Sequence, residues 1–174
     1  MKETCLRCLL PNRLLLMKTW LTFLFLLATS TAALFAAESA SGLAAARAEI
    51  APLFDDMQAA ANAHDTDRHL SFYAREQSLL FIINDQRIIG WEALREKQRQ
   101  WWNDGKTDVV YTQVGEPDYR MPGPGLVMVT HFLSSRRTLP GGEVRATAFG
   151  ISALWQKRPE GWRIIHAHES TVQK

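Results

Sequence analysis

Apolar positions along the chain follow helical spacing up to about residue 103, interrupted by one short strand pair, and strand alternation beyond it. From Ser41, which fits a helix N-cap, Leu43, Ala46, Ile50, Leu53, Phe54 and Met57 recur three and four apart, and Ala60 and Ala61 continue the stripe. Pro52 inside this stripe predicts a kink, or a true start near Ala51. His64-Asp65 breaks the pattern, and Asp65 suits the cap of a short second helix through Leu70, Phe72 and Tyr73. Leu79 to Ile83 predicts a strand, Asn84-Asp85-Gln86 a turn, and Arg87-Ile88-Ile89 its return. Gly90 then opens a helix from Trp91 to about Asn103, which Gly105 ends. Beyond it the alternation is that of strands, expected near 108–119, 125–137, 143–157 and 161–172. Met121-Pro122-Gly123-Pro124-Gly125 and Leu139-Pro140-Gly141-Gly142 supply turns between them.

The last hairpin is the most informative stretch. Pro159-Glu160-Gly161 pins a tight turn between two strands, because proline pre-sets one turn angle and glycine accepts the other. Strict alternation puts Trp162, Ile164, His166, His168 and Ser170 on one face, and Arg163, Ile165, Ala167 and Glu169 on the other. An indole, an aliphatic and two imidazoles in a row are an unusual way to fill a plain core.

The run Trp155-x-x-Arg158-x-x-Gly161-Trp162-Arg163-Ile164-x-His166-x-His168-x-Ser170 resembles the C-terminal signature of SnoaL-like proteins of the nuclear transport factor 2-like superfamily. It is especially similar to the end of the association (hub) domain of calcium/calmodulin-dependent protein kinase II. The order of elements upstream extends the likeness over roughly residues 43–172. The resemblance implies a cone-shaped α+β fold, in which a curved antiparallel sheet carries helices on its concave side and leaves a pocket at the wide end. The pattern of two helices, a strand pair, a helix and four long strands agrees with that class.

Composition moderates the picture at the N-terminus. Formal net charge is +2, but residues 1–37 hold Lys2, Arg7, Arg13 and Lys18 against Glu3 alone, leaving 16 basic and 17 acidic residues in the remainder. The basic balance is therefore no argument for a nucleic-acid partner. Lys18, the apolar run from Trp20 to Ala37 and the small residues at its end predict a signal peptide over residues 1–37, cut after Ala33, Ala36 or Ala37. Met17-Lys18 is itself a good start, so residues 1–16 read as an over-long gene start. Residues 38–42 are then a short linker and 43–174 the folded domain. The expected location is secreted or periplasmic, the alternative being an uncleaved membrane anchor. Cys5 and Cys8 both lie in the leader, so the domain itself is free of cysteine.

Candidate chemistry follows from the strand faces. Val127, Val129, His131 and Leu133 share one face, and Arg145, Thr147, Phe149, Ile151, Ala153 and Trp155 another. Residues expected at the ligand are Tyr73, Trp102, Tyr111, His131, Arg145, Trp162, His166 and His168, and His166, His168 and His131 are the acid/base candidates. Trp101 and Trp102 cannot both face inward. The resemblance to the hub implies arginines that bind small carboxylates deep in the pocket. Arg145 aligns with one of them, Ala153 replaces a second, and His131 lies near a third. Ketosteroid isomerases of the superfamily place an aspartate on the strand that here reads Ser78–Ile83, which has no carboxylate. No metal or cofactor is expected. The reading is an exported small-ligand-binding protein, homodimeric through the sheet. The alternatives are an isomerase, cyclase, dehydratase or hydrolase using histidine, or a non-catalytic assembly module.

Overall fold

A computed structural model describes residues 40–171. The expected signal peptide and the first two linker residues lie outside the described residues. The chain divides into two compact units at Ser41/Gly42, and the second carries the sheet. Among the described residues no helix is long and apolar enough to cross a membrane.

Helix α1 covers residues 40–62 and runs unbroken through Pro52. Proline removes one amide from the ladder, but Ile50 and Phe54 on either side are buried, so tertiary packing holds both turns and no new start is needed. Helix α2 is Thr66–Leu70, shorter than the pattern suggested. Asp65 caps it as expected, its carboxylate accepting from the Arg68 amide at 3.0 Å. Strands β1 (Leu80–Ile83) and β2 (Gln86–Ile89) form the short hairpin. Helix α3 is Trp91–Trp101. Beyond it come three successive left-handed residues, Asn103, Asp104 and Gly105, which turn the chain into the long strands. These are β3 (Val110–Gly123), β4 (Leu126–Thr138), β5 (Val144–Arg158) and β6 (Gly161–Thr171).

The fold is the α+β arrangement expected, a curved, open six-stranded sheet in the order β2-β1-β6-β5-β4-β3. Every neighbouring pair is antiparallel except β1 and β6, which run parallel, so the sheet is mixed. The short strand β2, helix α3 and three long strands separate these two in sequence, and no hairpin constrains their sense. On the inner face, Val127, Val129, Ala153, Trp155, Ile164 and Ala167 pack against Ala46, Ile50, Phe54 and Met57 of α1. At the closed end, Glu49 of α1 accepts from the Trp162 indole at 2.7 Å and pairs with Lys157, and Glu76 takes a two-pronged bond from Arg158.

One irregularity decides what the inner face presents. Trp155 pairs with Ile164 and Leu154 with His166, which leaves Ile165 as an extra residue in β6. Such a bulge reverses the alternation beyond it. Trp162 and Ile164 point inward before it; Ala167, Glu169 and Thr171 point inward after it. The strict alternation read from the sequence holds only for the first half of the strand.

Candidate functional site

The wide end of the fold holds a cavity of about 550 Å³. Its walls come from the C-terminal turns of α1, from α2 and the residues after it, from the end of α3, and from the inner face of β1, β3, β4, β5 and β6. Helix α1 reaches only part of the sheet, so the distal halves of the long strands stay uncovered and the space between remains open. The size suits a small organic molecule.

Several local devices hold the walls. Asn62, the last residue of α1, clamps the start of β3 by donating to the Tyr111 carbonyl at 3.0 Å and accepting from its amide at 2.8 Å. Trp102 is buried and donates its indole N–H to the Tyr111 hydroxyl at 3.1 Å, which leaves the phenolic proton free for another acceptor. Trp101 is more than a third exposed, so of the two adjacent indoles one is wall and one is rim. His69 lies edge-on to Trp102 with ring centres 5.2 Å apart, and its Nδ1 stands 3.2 Å from the Met57 carbonyl. That contact makes Nδ1 the protonated nitrogen and Nε2 the acceptor. His131 packs edge-on against Phe54 at 4.7 Å, and its buried Nδ1 has no hydrogen-bond partner.

The electrostatics are those of a desolvated site. Burial pushes both imidazoles down to about 4, so His69 and His131 are neutral at physiological pH; the carbonyl of Met57 opposes the shift at His69. Burial raises the phenols of Tyr73 and Tyr111, and the Glu169 carboxylate adds to both shifts; the Trp102 bond opposes the rise at Tyr111. Glu169 itself is pushed up to about 7 by burial. Its carboxylate has no hydrogen bond or ion pair among the described residues, and the half-buried side chain lines the cavity. A carboxyl balanced between its two forms near neutrality, two phenols and two neutral imidazoles can together accept, donate or relay a proton.

Of the eight residues expected at the ligand, Tyr73, Trp102, Tyr111, His131 and Arg145 line the cavity. Arg145 is exposed at the mouth, opposite Arg137 across the strand pair, rather than deep inside. Trp162 faces inward but at the closed end, bonded to Glu49. His166 and His168 do not line the cavity: the bulge at Ile165 turns them to the outer face, opposite Leu154 and Ser152. The pairing of the two histidines with the pocket is thereby corrected. The groups that alternation missed are Glu169, which the same bulge brings in, and His69, which the short α2 aims inward. The adjacent aliphatics Ile164-Ile165, which no half-buried alternating strand needs, were the available signal for the first. Among the described residues no three His, Cys, Asp or Glu side chains gather as a metal ion requires.

The profile of the SnoaL-like domain matches residues 50–173. The chain belongs to the SnoaL-like family. Solved structures agree at the level of fold. A nuclear transport factor 2-like superfamily protein from Salmonella enterica serovar Typhimurium is 19% identical with a TM-score of 0.65, over 75% of this chain and 94% of that one. The association domain of C. elegans CaMKII is 18% identical with a TM-score of 0.59, over 74% and 97%. A ketosteroid isomerase-like protein from Erwinia carotovora atroseptica is 16% identical with a TM-score of 0.59, over 73% and 96%. No curated protein sequence matches the chain. The match to the SnoaL-like domain covers most of α1, α2, α3 and all six strands.

Proposed function

We propose that this SnoaL-like domain binds a small organic molecule in the cavity between sheet and helices. The observation that carries the reading is a space of about 550 Å³ with aromatic walls on which Tyr73, Tyr111, His131 and Glu169 converge. The test is thermal-shift screening against small carboxylates, steroids, aromatic polyketides and amines, followed by native mass spectrometry of whatever raises the melting temperature. A flat response to every class, with no co-purifying mass, would sink the reading.

A second reading, an acid/base enzyme on a small substrate, is favoured by Glu169. It titrates near neutrality and faces the cavity, so it replaces His166 and His168 as the proton-transfer group. We also propose a homodimer through the outer sheet face. Val110, Val114, Phe132 and Val144 are each more than half exposed, and their register puts all four on that face. A patch of this kind on a sheet supports association with a second copy. Phe132→Glu should shift the protein to monomer in sedimentation; a wild type already monomeric at micromolar concentration would defeat the proposal. Export rests on the leader, and N-terminal sequencing of secreted protein tests it.

A further inference from the structure

We propose that the ligand carries a single ammonium group, seated against the Glu169 carboxylate between the rings of Tyr73 and Tyr111; this rests on the reading of the cavity as a ligand site. A carboxylate in a low-dielectric space is normally paired, because an uncompensated buried charge is costly. Glu169 has no such partner among the described residues, and it lines the same cavity as Tyr73 and Tyr111, whose phenols feel its charge. The described residues leave its complement open, and a bound ligand can supply it. A metal ion would need further strong ligands, and among the described residues no three His, Cys, Asp or Glu side chains gather to hold one. A neutral acceptor pairs only with the protonated form of Glu169 and leaves the ionised form uncompensated. An organic ammonium neutralises it and gains from the faces of neighbouring rings.

The other ionisable groups around the cavity agree. His69 from α2 and His131 from β4 are uncharged and do not repel a cation. Helices α1 and α3 and strand β1 present no ionisable side chain to the space. The remaining charges are Arg137 on β4 and Arg145 on β5, which face each other at the exposed mouth. Water reaches them there, and Asp108 feels the charge of Arg137, though that charge also reaches the Tyr111 phenol. They oppose a second positive charge at the outer end of a ligand, so the geometry favours a monoamine over a polyamine.

The experiment is isothermal titration calorimetry on the full-length chain at pH 7, with matched probes of one, two and three aromatic rings, each as the primary amine, the alcohol and the carboxylic acid. Titrations run in two buffers of different ionisation enthalpy. In the set whose size fits, the amine should bind on the order of tenfold or more tighter than its alcohol, as a charge-assisted bond implies. About half a proton should be released per amine bound, because a carboxyl with a pKa of about 7 is half protonated at that pH and ionises on pairing. Glu169→Gln, which keeps the shape and removes the buried charge, should abolish both the preference and the proton release while leaving alcohol binding in place. Alcohols or acids that bind as well as the amines, or amine binding that Glu169→Gln does not weaken, would overturn the proposal and leave the cavity reading standing. Silence from all three sets would overturn both.

Discussion

Glu169 gives the sharpest test of the cavity's electrostatics even without a ligand. Burial raises its carboxyl from the ordinary 4.5 to about 7, so the folded state holds a proton that the unfolded chain gives up more readily. The associated stability is fully present below about pH 4.5 and is lost as pH rises through about 7. By linkage, the loss from pH 4 to pH 8 is about 3 kcal/mol at most, reduced by any water in the cavity. His69 and His131 act in the opposite sense, since burial lowers both from 6.5 to about 4. Their contribution is present above about pH 6.5 and is lost as pH falls through about 4. The wild-type curve is therefore a composite, and the variant must isolate one limb. Urea unfolding of wild type and Glu169→Gln at half-unit steps from pH 4 to pH 8 does so through the difference in free energy. Glu169→Gln should gain on wild type across that range, with most of the gain between pH 5 and pH 7. A pH-independent difference would show that Glu169 keeps an ordinary pKa, and would refute the desolvated site.

Three further outcomes follow from the same geometry. His131→Leu removes a buried ring nitrogen that has no partner, and should raise stability by about 2 kcal/mol at pH 5 while changing little above pH 7, as read by urea unfolding. Asn62→Ala deletes both bonds to the Tyr111 backbone and should cost about 1–2 kcal/mol, with faster amide exchange at the start of β3. His166→Ala and His168→Ala should leave ligand affinity unchanged, because both side chains lie on the outer face; a loss of binding in either would contradict the register of β6.

The sequence made the architecture legible because local signals and global fold agree. The Asp65 cap, the glycine after α3 and the Pro159-Glu160-Gly161 turn each sit where the structure uses them. The inner faces of β4 and β5 were legible for the same reason, since their alternation runs uninterrupted past His131 and Arg145. Two things were hidden. The parallel seam between β1 and β6 pairs residues 86 apart in the chain, such as Leu80 and His166, a distance at which no local pattern speaks. The bulge at Ile165 uses a β-branched residue instead of glycine, so only the faint signal of two adjacent aliphatics marks it. A motif read through such a point keeps its letters and loses its meaning: Trp162 and His168 belong to opposite faces although both fall on even steps from Ile164.

The extra residue in β6 also means that strand length, and not only composition, sets the cavity's chemistry. A chain lacking Ile165 would run Trp162, Ile164, Ala167 and Glu169 inward on plain alternation, so losing that codon preserves the interior. Keeping Ile165 while smoothing the ladder does the reverse: everything after it slips by one place, His166 and His168 enter, and Glu169 leaves for solvent. In this sequence an acidic and an imidazole-bearing interior differ by a single register step, and the structure holds the acidic one. The latch on the acidic one is Asn84, whose side-chain oxygen accepts from the Thr171 amide at 3.0 Å and hydroxyl at 3.2 Å, fastening the far end of the strand to the β1–β2 turn.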